Sequence, residues 1–303
     1  MSFSAPTATS GRVARRVAVV LLVLAALAYA AAVVRLMLQE TELIFRTAAA
    51  RTDGLPTFPY EQIDVPRADG VRQIAWRVEA AQPSDMTATN GTAPRDALWV
   101  LYLHGNASTV ASRMNVKHYA RLRELGLNVL APEYRGYNGL AGTPSEASVA
   151  ADARAGYEYL RSRGGVPTDR LVIYGWSLGA AVAVGLAASV EARAVILEGA
   201  PASIVDIGQA RYPMFPVRWI IRNPFNAIER VAGIRAPLLF LHSPEDTVVP
   251  LAEGRRLFDA APSPKTFVEV RGGHVEASEA DRAVFYGAIA RFLAITSTPT
   301  PSH

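Results

Sequence analysis

The sequence of 303 residues contains no cysteine, and this absence excludes several kinds of site. A chain without thiols has no disulfide framework, iron–sulfur cluster, thiolate zinc site or cysteine nucleophile. Lysine is also scarce, with two residues against 29 arginines. Charged residues make up 19% and hydrophobic residues 50% of the chain, so the composition excludes both a multi-span membrane protein and a disordered one. The length suits a domain with a sizeable core.

Acidic residues are absent from the start of the chain. Residues 1–38 contain four arginines, whereas the first carboxylate is Glu40. Because the whole chain has 31 basic and 27 acidic residues, the part after residue 38 has no formal net charge. A nucleic-acid-binding protein would carry its basic surplus on the folded surface. We therefore expect no nucleic-acid partner, and we interpret the basic N-terminus as a targeting feature.

An uninterrupted apolar run extends from Val17 to Val34 and, past Arg35, to Leu38. As a helix it would measure roughly 33 Å, enough to cross a hydrocarbon core of about 30 Å. The arginines before it favour a cytoplasmic N-terminus. We expect a basic cytoplasmic tail (1–16), a signal anchor (17–38) and an extracytoplasmic catalytic domain, which is periplasmic or extracellular in a bacterium. The alternative is secretion after signal-peptide cleavage near Ala30, because Ala28-Tyr29-Ala30 has the form of a cleavage site.

The rest of the chain predicts a juxtamembrane connector (39–59), one folded domain (60–295) and a disordered tail (296–303). Within the domain, short apolar strand-like runs alternate with helical patterns, which is typical of an α/β fold with a mainly parallel sheet between helices. Residues 81–96 are rich in turn-forming residues and indicate a surface loop. The predicted strands are 62–65, 71–78, 97–103, 128–131, 171–174, 194–197, 238–242 and 266–270, and the predicted helices are 112–125, 145–161, 178–189, 251–260 and 279–295.

One motif carries a clear chemical prediction. Gly175-Trp176-Ser177-Leu178-Gly179 follows the strand-like run Leu171 to Tyr174 and precedes a helix rich in Ala and Val. This is the G-x-S-x-G pattern between a strand and a helix, where a tight turn exposes the serine hydroxyl at the helix N-terminus. We predict that Ser177 is a nucleophile. The alternative is an ordinary glycine-containing turn with a serine helix cap.

A serine nucleophile needs a base, and the chain has five histidines. His274 follows the last predicted strand in the turn Arg271-Gly272-Gly273-His274, where the chain order serine, acid, histidine would put the base. The predicted acid is Asp246, which would accept a hydrogen bond from His274 Nδ1. Its neighbour Glu245 is the alternative, because spacing alone does not separate them. This chemistry requires no metal ion and no organic cofactor.

An oxyanion also needs hydrogen-bond donors. We predict that the backbone N–H of Leu178 supplies one. The turn His104-Gly105-Asn106-Ala107 ends another strand, and we predict the N–H of Asn106 as the second donor, with Ala107 as its alternative. His104 would then be structural, with its ring packed under this loop.

Taken in order, these motifs resemble the α/β-hydrolase superfamily. More narrowly, the chain resembles its membrane-tethered single-domain serine hydrolases, which include the eukaryotic α/β-hydrolase-domain depalmitoylase-like proteins and many bacterial relatives. Ser243 departs from the pattern, because the family usually has glycine there. The matching segments are residues 43–45 after the apolar run, 104–107, 133–137, 142–146, 175–179, Pro201 with Ser203, 246–250 and 272–274.

The resemblance implies a serine hydrolase that acts on carboxylic esters or thioesters through an acyl-enzyme intermediate, with a small or lipid-like acyl compound as substrate. Two alternatives remain: an aminopeptidase or amidase, and a non-catalytic tethered binding protein. Residues 201–234 are longer than one helix-to-strand connection needs. They indicate either a small cap, with Tyr212, Phe215, Trp219 and Phe225 toward an acyl pocket, or helices that cover the core. The sequence predicts no oligomeric state.

Overall fold

The computed structural model describes residues 8–81 and 97–295. Eight strands in this part of the chain form one sheet: β1 (Glu61–Val65), β2 (Gln73–Val78), β3 (Trp99–Leu103), β4 (Asn128–Pro132), β5 (Leu171–Trp176), β6 (Ala194–Glu198), β7 (Leu238–His242) and β8 (Lys265–Glu269). Their order is β1-β2-β4-β3-β5-β6-β7-β8. β2 is antiparallel to β1 and to β4, and all other pairs are parallel. The predicted mainly parallel sheet is confirmed.

The helices are numbered along the chain, and those after the first cover both faces of this sheet. They are α1 (Ala8–Phe45), α2 (Arg113–Glu124), α3 (Glu146–Glu158), α4 (Leu178–Ala187), α5 (Ile204–Arg211), α6 (Val217–Ile220), α7 (Ala227–Arg230), α8 (Leu251–Ala260), α9 (Ala277–Ala280) and α10 (Arg282–Ile295). On one face, Leu101 of β3 packs in a buried cluster with residues of α3 and α4. On the other, Tyr102 packs with residues of α2 and α10. Adjacent strand residues thus serve opposite faces, as expected for a sheet covered on both sides.

The predicted helix 279–295 is wrong at its start. The structure has two helices there, and the chain between them turns at Asp281, whose φ is −123°. The carboxylate of Asp281 accepts a hydrogen bond of 3.1 Å from the backbone N–H of Arg271. This partner lies ten residues away in a loop, so helical periodicity does not reveal the break.

The N-terminal helix α1 is longer than the predicted apolar segment. It ends at Phe45, so the first residues of the predicted connector are helical. The helix is long and apolar enough to cross a membrane, and its most apolar stretch is not buried. The last turns of the helix are not exposed in this way, because Glu40 and Phe45 are buried against the domain. The predicted loop beyond Ala81, the first seven residues and the tail 296–303 lie outside the described residues.

The segment 201–234 contains α5, α6 and α7. Its aromatic residues have different surroundings. Phe225 is buried and packs edge-on against Phe45, with ring centroids 5.9 Å apart. Phe215 stacks on Tyr29 of α1, and Trp219 is 88% exposed. The aromatics of this segment therefore do not line a common pocket.

Candidate active site

Ser177 occupies a strained turn between β5 and α4. Its φ of 55° and ψ of −121° are rarely adopted by a residue with a side chain. The backbone N–H of Ser177 donates a 2.9 Å hydrogen bond to the carbonyl oxygen of Glu198, at the end of β6. A Cβ at Gly179 would overlap the carbonyl oxygen of Leu103, and one at Gly175 would overlap that of Gly179. The two glycines of the motif are thus required by contacts on both sides of the serine.

The structure brings the predicted serine, histidine and aspartate together at the carboxyl ends of neighbouring parallel strands. Ser177 Oγ lies 2.8 Å from His274 Nε2, and His274 Nδ1 lies 2.6 Å from Asp246 Oδ2. Asp246 follows β7, and His274 follows β8. Of the two acids that the sequence left open, Asp246 is buried at the histidine, whereas Glu245 is exposed.

Asp246 is held as a carboxylate by its neighbours. Its Oδ1 accepts hydrogen bonds of 2.8 Å from the backbone N–H groups of Val248 and Val249. Burial alone would raise the pKa of Asp246, but the hydrogen bond and charge of His274 together with the two amides lower the pKa below its ordinary value. An ionised Asp246 accepts from Nδ1–H of His274, which leaves Nε2 free to accept the serine proton.

The predicted oxyanion donors belong to two different segments of the chain near Ser177. The N–H of Leu178 is at the start of α4, and Asn106 lies in the loop after β3. The N–H of Ala107, the alternative donor, is already engaged, because it donates a 3.1 Å hydrogen bond to the carbonyl oxygen of Phe45. The side-chain Nδ2 of Asn106 donates to the carbonyl oxygen of Ile44 at 2.9 Å. These contacts fix the loop and favour the N–H of Asn106 as the second donor.

His104 lies beneath this loop and is fully buried. Its Nε2 is 2.9 Å from Glu133 Oε1, and its ring packs on Tyr134 with centroids 4.1 Å apart. Glu133 Oε2 accepts a hydrogen bond from the backbone N–H of Val110. His104 Nδ1 also lies 2.8 Å from the carbonyl oxygen of Gly105, so the ring supports this loop through its hydrogen bonds.

Sequence reasoning missed Glu198, a buried acid at the end of β6. Tyr174 OH donates to its Oε2 at 2.6 Å, and His118 Nε2 lies 3.6 Å from the same oxygen. Burial raises the pKa of Glu198 to about 8, and the charge of Asp246 contributes to this increase. The hydrogen bond from Tyr174 acts in the opposite direction and lowers the pKa. Glu198, Asp246 and His274 line one small cavity. In the sequence, the signal for Glu198 is its position directly after the apolar run Ala194 to Leu197.

Gly199 was also missed. Its φ is +54°, and a Cβ there would lie 3.1 Å from His274 Cε1. The residue after β6 therefore leaves room for the histidine ring. Within residues 8–81 and 97–295, no cluster of three or more His, Asp or Glu side chains is arranged to hold a metal ion.

A family sequence model described as "Alpha/beta hydrolase family" matches residues 100–292. The chain belongs to the α/β-hydrolase family. This assignment confirms the resemblance seen in the sequence and makes the protein a member of a hydrolase family.

Relatives with curated names support the same assignment. An uncharacterised protein of Mycobacterium tuberculosis is 40% identical over 199 residues, which cover 65% of this chain and 70% of that protein. The lysophosphatidylserine lipase ABHD12 of Macaca fascicularis is 31% identical over 227 residues, which are 69% of this chain and 56% of the lipase. The match thus spans little more than half of that lipase.

Solved structures share the fold. The esterase Pf2001 of Pyrococcus furiosus superposes with a TM-score of 0.63 at 19% identity, covering 79% of this chain and 91% of the esterase. Est1E of Butyrivibrio proteoclasticus gives a TM-score of 0.59 at 16% identity, covering 78% and 98%. At these identities the similarity establishes the fold alone.

Proposed function

We propose that this α/β-hydrolase is a membrane-anchored serine hydrolase that cleaves carboxylic esters or thioesters through an acyl-enzyme intermediate. The observation that carries the proposal is the continuous hydrogen-bonded series from Ser177 Oγ through His274 to Asp246, with distances of 2.8 and 2.6 Å. A serine hydroxyl 2.8 Å from an imidazole nitrogen that is oriented by a buried carboxylate is the arrangement that nucleophilic catalysis requires.

In the first half-reaction, Ser177 Oγ attacks the acyl carbonyl carbon while His274 Nε2 accepts the serine proton. The negative oxygen of the tetrahedral intermediate accepts hydrogen bonds from the N–H groups of Leu178 and Asn106. The intermediate collapses when the bond to the leaving alkoxide or thiolate breaks and His274 returns its proton to that group. Asp246 stabilises the imidazolium that exists between these two transfers.

In the second half-reaction, His274 Nε2 accepts a proton from water, whose oxygen attacks the acyl-serine carbonyl. Collapse of this intermediate releases the carboxylic acid and returns the proton to Ser177 Oγ. All proton transfers pass through one histidine, so the reaction needs no metal ion.

We infer a lipid-like acyl ester as the substrate. The named activity of one relative, a lysophosphatidylserine lipase, supports an ester that bears an acyl chain. An N-terminal helix of sufficient length to cross a membrane would keep the enzyme next to such substrates.

We also propose that α1 is retained as an uncleaved anchor, with a cytoplasmic N-terminus and an extracytoplasmic domain. The hydroxyl of Tyr29 donates a 2.8 Å hydrogen bond to the carbonyl oxygen of Met214. Cleavage after Ala30 would remove this contact with the domain.

The deciding experiment is labelling of isolated membranes with a fluorophosphonate probe, which reacts with activated serines. Wild type and Ser162→Ala should give a labelled band in the membrane fraction, and Ser177→Ala should give none. Ser162 is an exposed serine after α3 and serves as the matched control. Labelling of Ser177→Ala at the wild-type level would overturn the assignment. Absence of labelling in the folded wild type would favour the non-catalytic binding protein.

A further inference from the structure

The segment 211–222, here called the cap tip, runs along the N-terminal helix. At its start, Met214 accepts the hydrogen bond from Tyr29, and the rings of Phe215 and Tyr29 stack with centroids 5.8 Å apart. At its end, Arg222 Nε donates to Glu40 Oε2 at 2.8 Å. The cap tip thus follows α1 from Glu40 back to Tyr29.

The contacts with Tyr29 and Glu40 fix the depth of the cap tip relative to the membrane. Tyr29 lies within the apolar residues 17–38, nine residues before their end, which is roughly 14 Å along a helix. Glu40 lies just beyond that end. A helix that spans the bilayer through residues 17–38 must therefore carry Met214 and Phe215 into the adjoining leaflet.

The cap tip spans a range of depths, with Met214 at the deep end beside Tyr29 and Arg222 at the shallow end beside Glu40. Met214 is 81% and Trp219 88% exposed, and neither is covered by the described part of the domain. Arg218 and Arg222 pair with Asp206 and Glu40, yet their side chains remain 64% and 61% exposed. An exposed tryptophan beside arginines that still reach outward is typical of the interface between lipid chains and headgroups, and the apolar side chain of Met214 suits the lipid chains below it.

The same helix connects this level to the active site. Phe45 lies seven positions after Leu38, which corresponds to about 10 Å along the helix. The carbonyl oxygens of Ile44 and Phe45 accept hydrogen bonds from Asn106 Nδ2 and Ala107 N–H. The proposed oxyanion loop is thus held about two helical turns from the end of the apolar segment.

We propose that the cap tip is a membrane-docking surface whose partner is the bilayer that holds α1. Trp219 and Met214 insert between lipids, and the arginines face the headgroups. The active site is then held at the lipid surface, where a long-chain acyl ester can enter without crossing water. This inference rests on the proposed function, since it concerns the route of the substrate to Ser177.

The first test measures the depth of Trp219 by fluorescence. The full chain is reconstituted in vesicles of phosphatidylcholine and phosphatidylglycerol, with or without bromine on the acyl chains. Wild type and Trp99→Phe should be quenched by brominated lipid, and Trp219→Phe should lose most of that quenching. The α1 helix contains no tryptophan, so the signal reports on the domain. Equal quenching of wild type and Trp219→Phe would overturn the inference.

The second test uses Met214→Ser/Trp219→Ser, with Val284→Ser as a control that removes an exposed apolar side chain of α10. For a long-chain single-acyl ester in the same vesicles, kcat/KM should fall about tenfold in the double variant and stay unchanged in the control. Turnover of a short water-soluble ester should be equal in all three proteins. Unchanged turnover of the vesicle substrate, with normal fluorophosphonate labelling, would refute the docking surface alone. Loss of labelling in wild type would refute the proposed function instead.

Discussion

The carbonyl oxygen of Phe45 accepts a hydrogen bond of 3.1 Å from the backbone N–H of Ala107. The hydroxyl of Tyr137 donates to the same oxygen at 2.6 Å. One carbonyl at the end of α1 therefore holds both the loop after β3 and the loop after β4. The last turn of the N-terminal helix belongs structurally to the α/β-hydrolase domain, even though the helix before it is exposed.

Two truncations should therefore differ in activity. Removal of residues 1–38 keeps Ile44 and Phe45, and we expect turnover of a short water-soluble ester within about twofold of wild type. Removal of residues 1–46 frees the oxyanion loop, and kcat should fall about 100-fold, as when one oxyanion donor is lost. Circular dichroism would confirm that both proteins are folded. Equal kcat values for the two folded truncations would show that α1 does not position the loop.

Asn106→Ala isolates the same effect without a truncation. The backbone N–H remains, but the hydrogen bond from Nδ2 to Ile44 is lost, at a cost of about 1 kcal/mol in the free energy of unfolding. We expect kcat for a soluble ester to fall about tenfold with little change in KM. A rise in KM at constant kcat would indicate that Asn106 contacts the substrate in its ground state instead.

The neighbouring acids Asp246 and Glu245 form a matched pair. Asp246→Asn should lower kcat about 10⁴-fold, because the amide no longer holds His274 in the required tautomer. Glu245→Gln makes the same replacement of a carboxylate by an amide at an exposed side chain, and it should retain wild-type turnover. Steady-state kinetics with an activated ester measures both. A comparable loss in the two variants would contradict the assignment of Asp246.

Glu198 should make stability depend on pH. Its pKa is raised to about 8 in the folded protein, so the folded state binds more protons than the unfolded state between the ordinary glutamate pKa and that value. On its own, this difference would lower the free energy of unfolding as pH rises through this window, by about 5 kcal/mol at most. Of the groups that face it, His118 opposes this effect up to its ordinary pKa of 6.5, because burial lowers its folded pKa to about 3 and the unfolded state then binds the extra proton. The decrease is therefore expected from about pH 6.5 to about pH 8. Asp246 has a lowered pKa and does not titrate in this range.

Urea denaturation of wild type and Glu198→Gln across this pH range measures the effect. The glutamine is neutral and can still accept the hydrogen bond from Tyr174, so the stability of this variant should change less between about pH 6.5 and about pH 8. If both proteins lose the same stability between mildly acidic and mildly alkaline pH, Glu198 is not the group that titrates.

Gly199 can be tested against another glycine with positive φ. Gly199→Ala should lower kcat at least tenfold, since its Cβ would lie 3.1 Å from His274 Cε1 and small displacements of catalytic groups are costly. Gly139→Ala has a similar φ of +75° but open space around the new Cβ, so it should cost about 1 kcal/mol of stability without loss of activity. Activity assays and thermal denaturation of both variants separate the cost of backbone strain from the effect of displacing His274.

The strands and the Ser177 turn could be predicted because their signals are local. Buried parallel strands need continuous apolar runs, and the turn needs glycines at fixed spacing. The helix break at Asp281, the surroundings of Phe215 and the hydrogen bonds that Ile44 and Phe45 accept could not be predicted. Each depends on a contact with a residue distant in the chain: Arg271 for Asp281, α1 for the cap tip, and the loop at Asn106 for the end of the helix.

Glu40 accepts four hydrogen bonds, from the backbone and side chains of Arg222 and Asn223. Together with the contact at Tyr29, they attach the domain to α1 at two separate points, so the domain cannot rotate freely about the proposed anchor. An enzyme mounted in this way would act in cis, on molecules of its own bilayer. A neighbouring vesicle or cell surface would meet the opposite side of the domain, and its esters would escape hydrolysis.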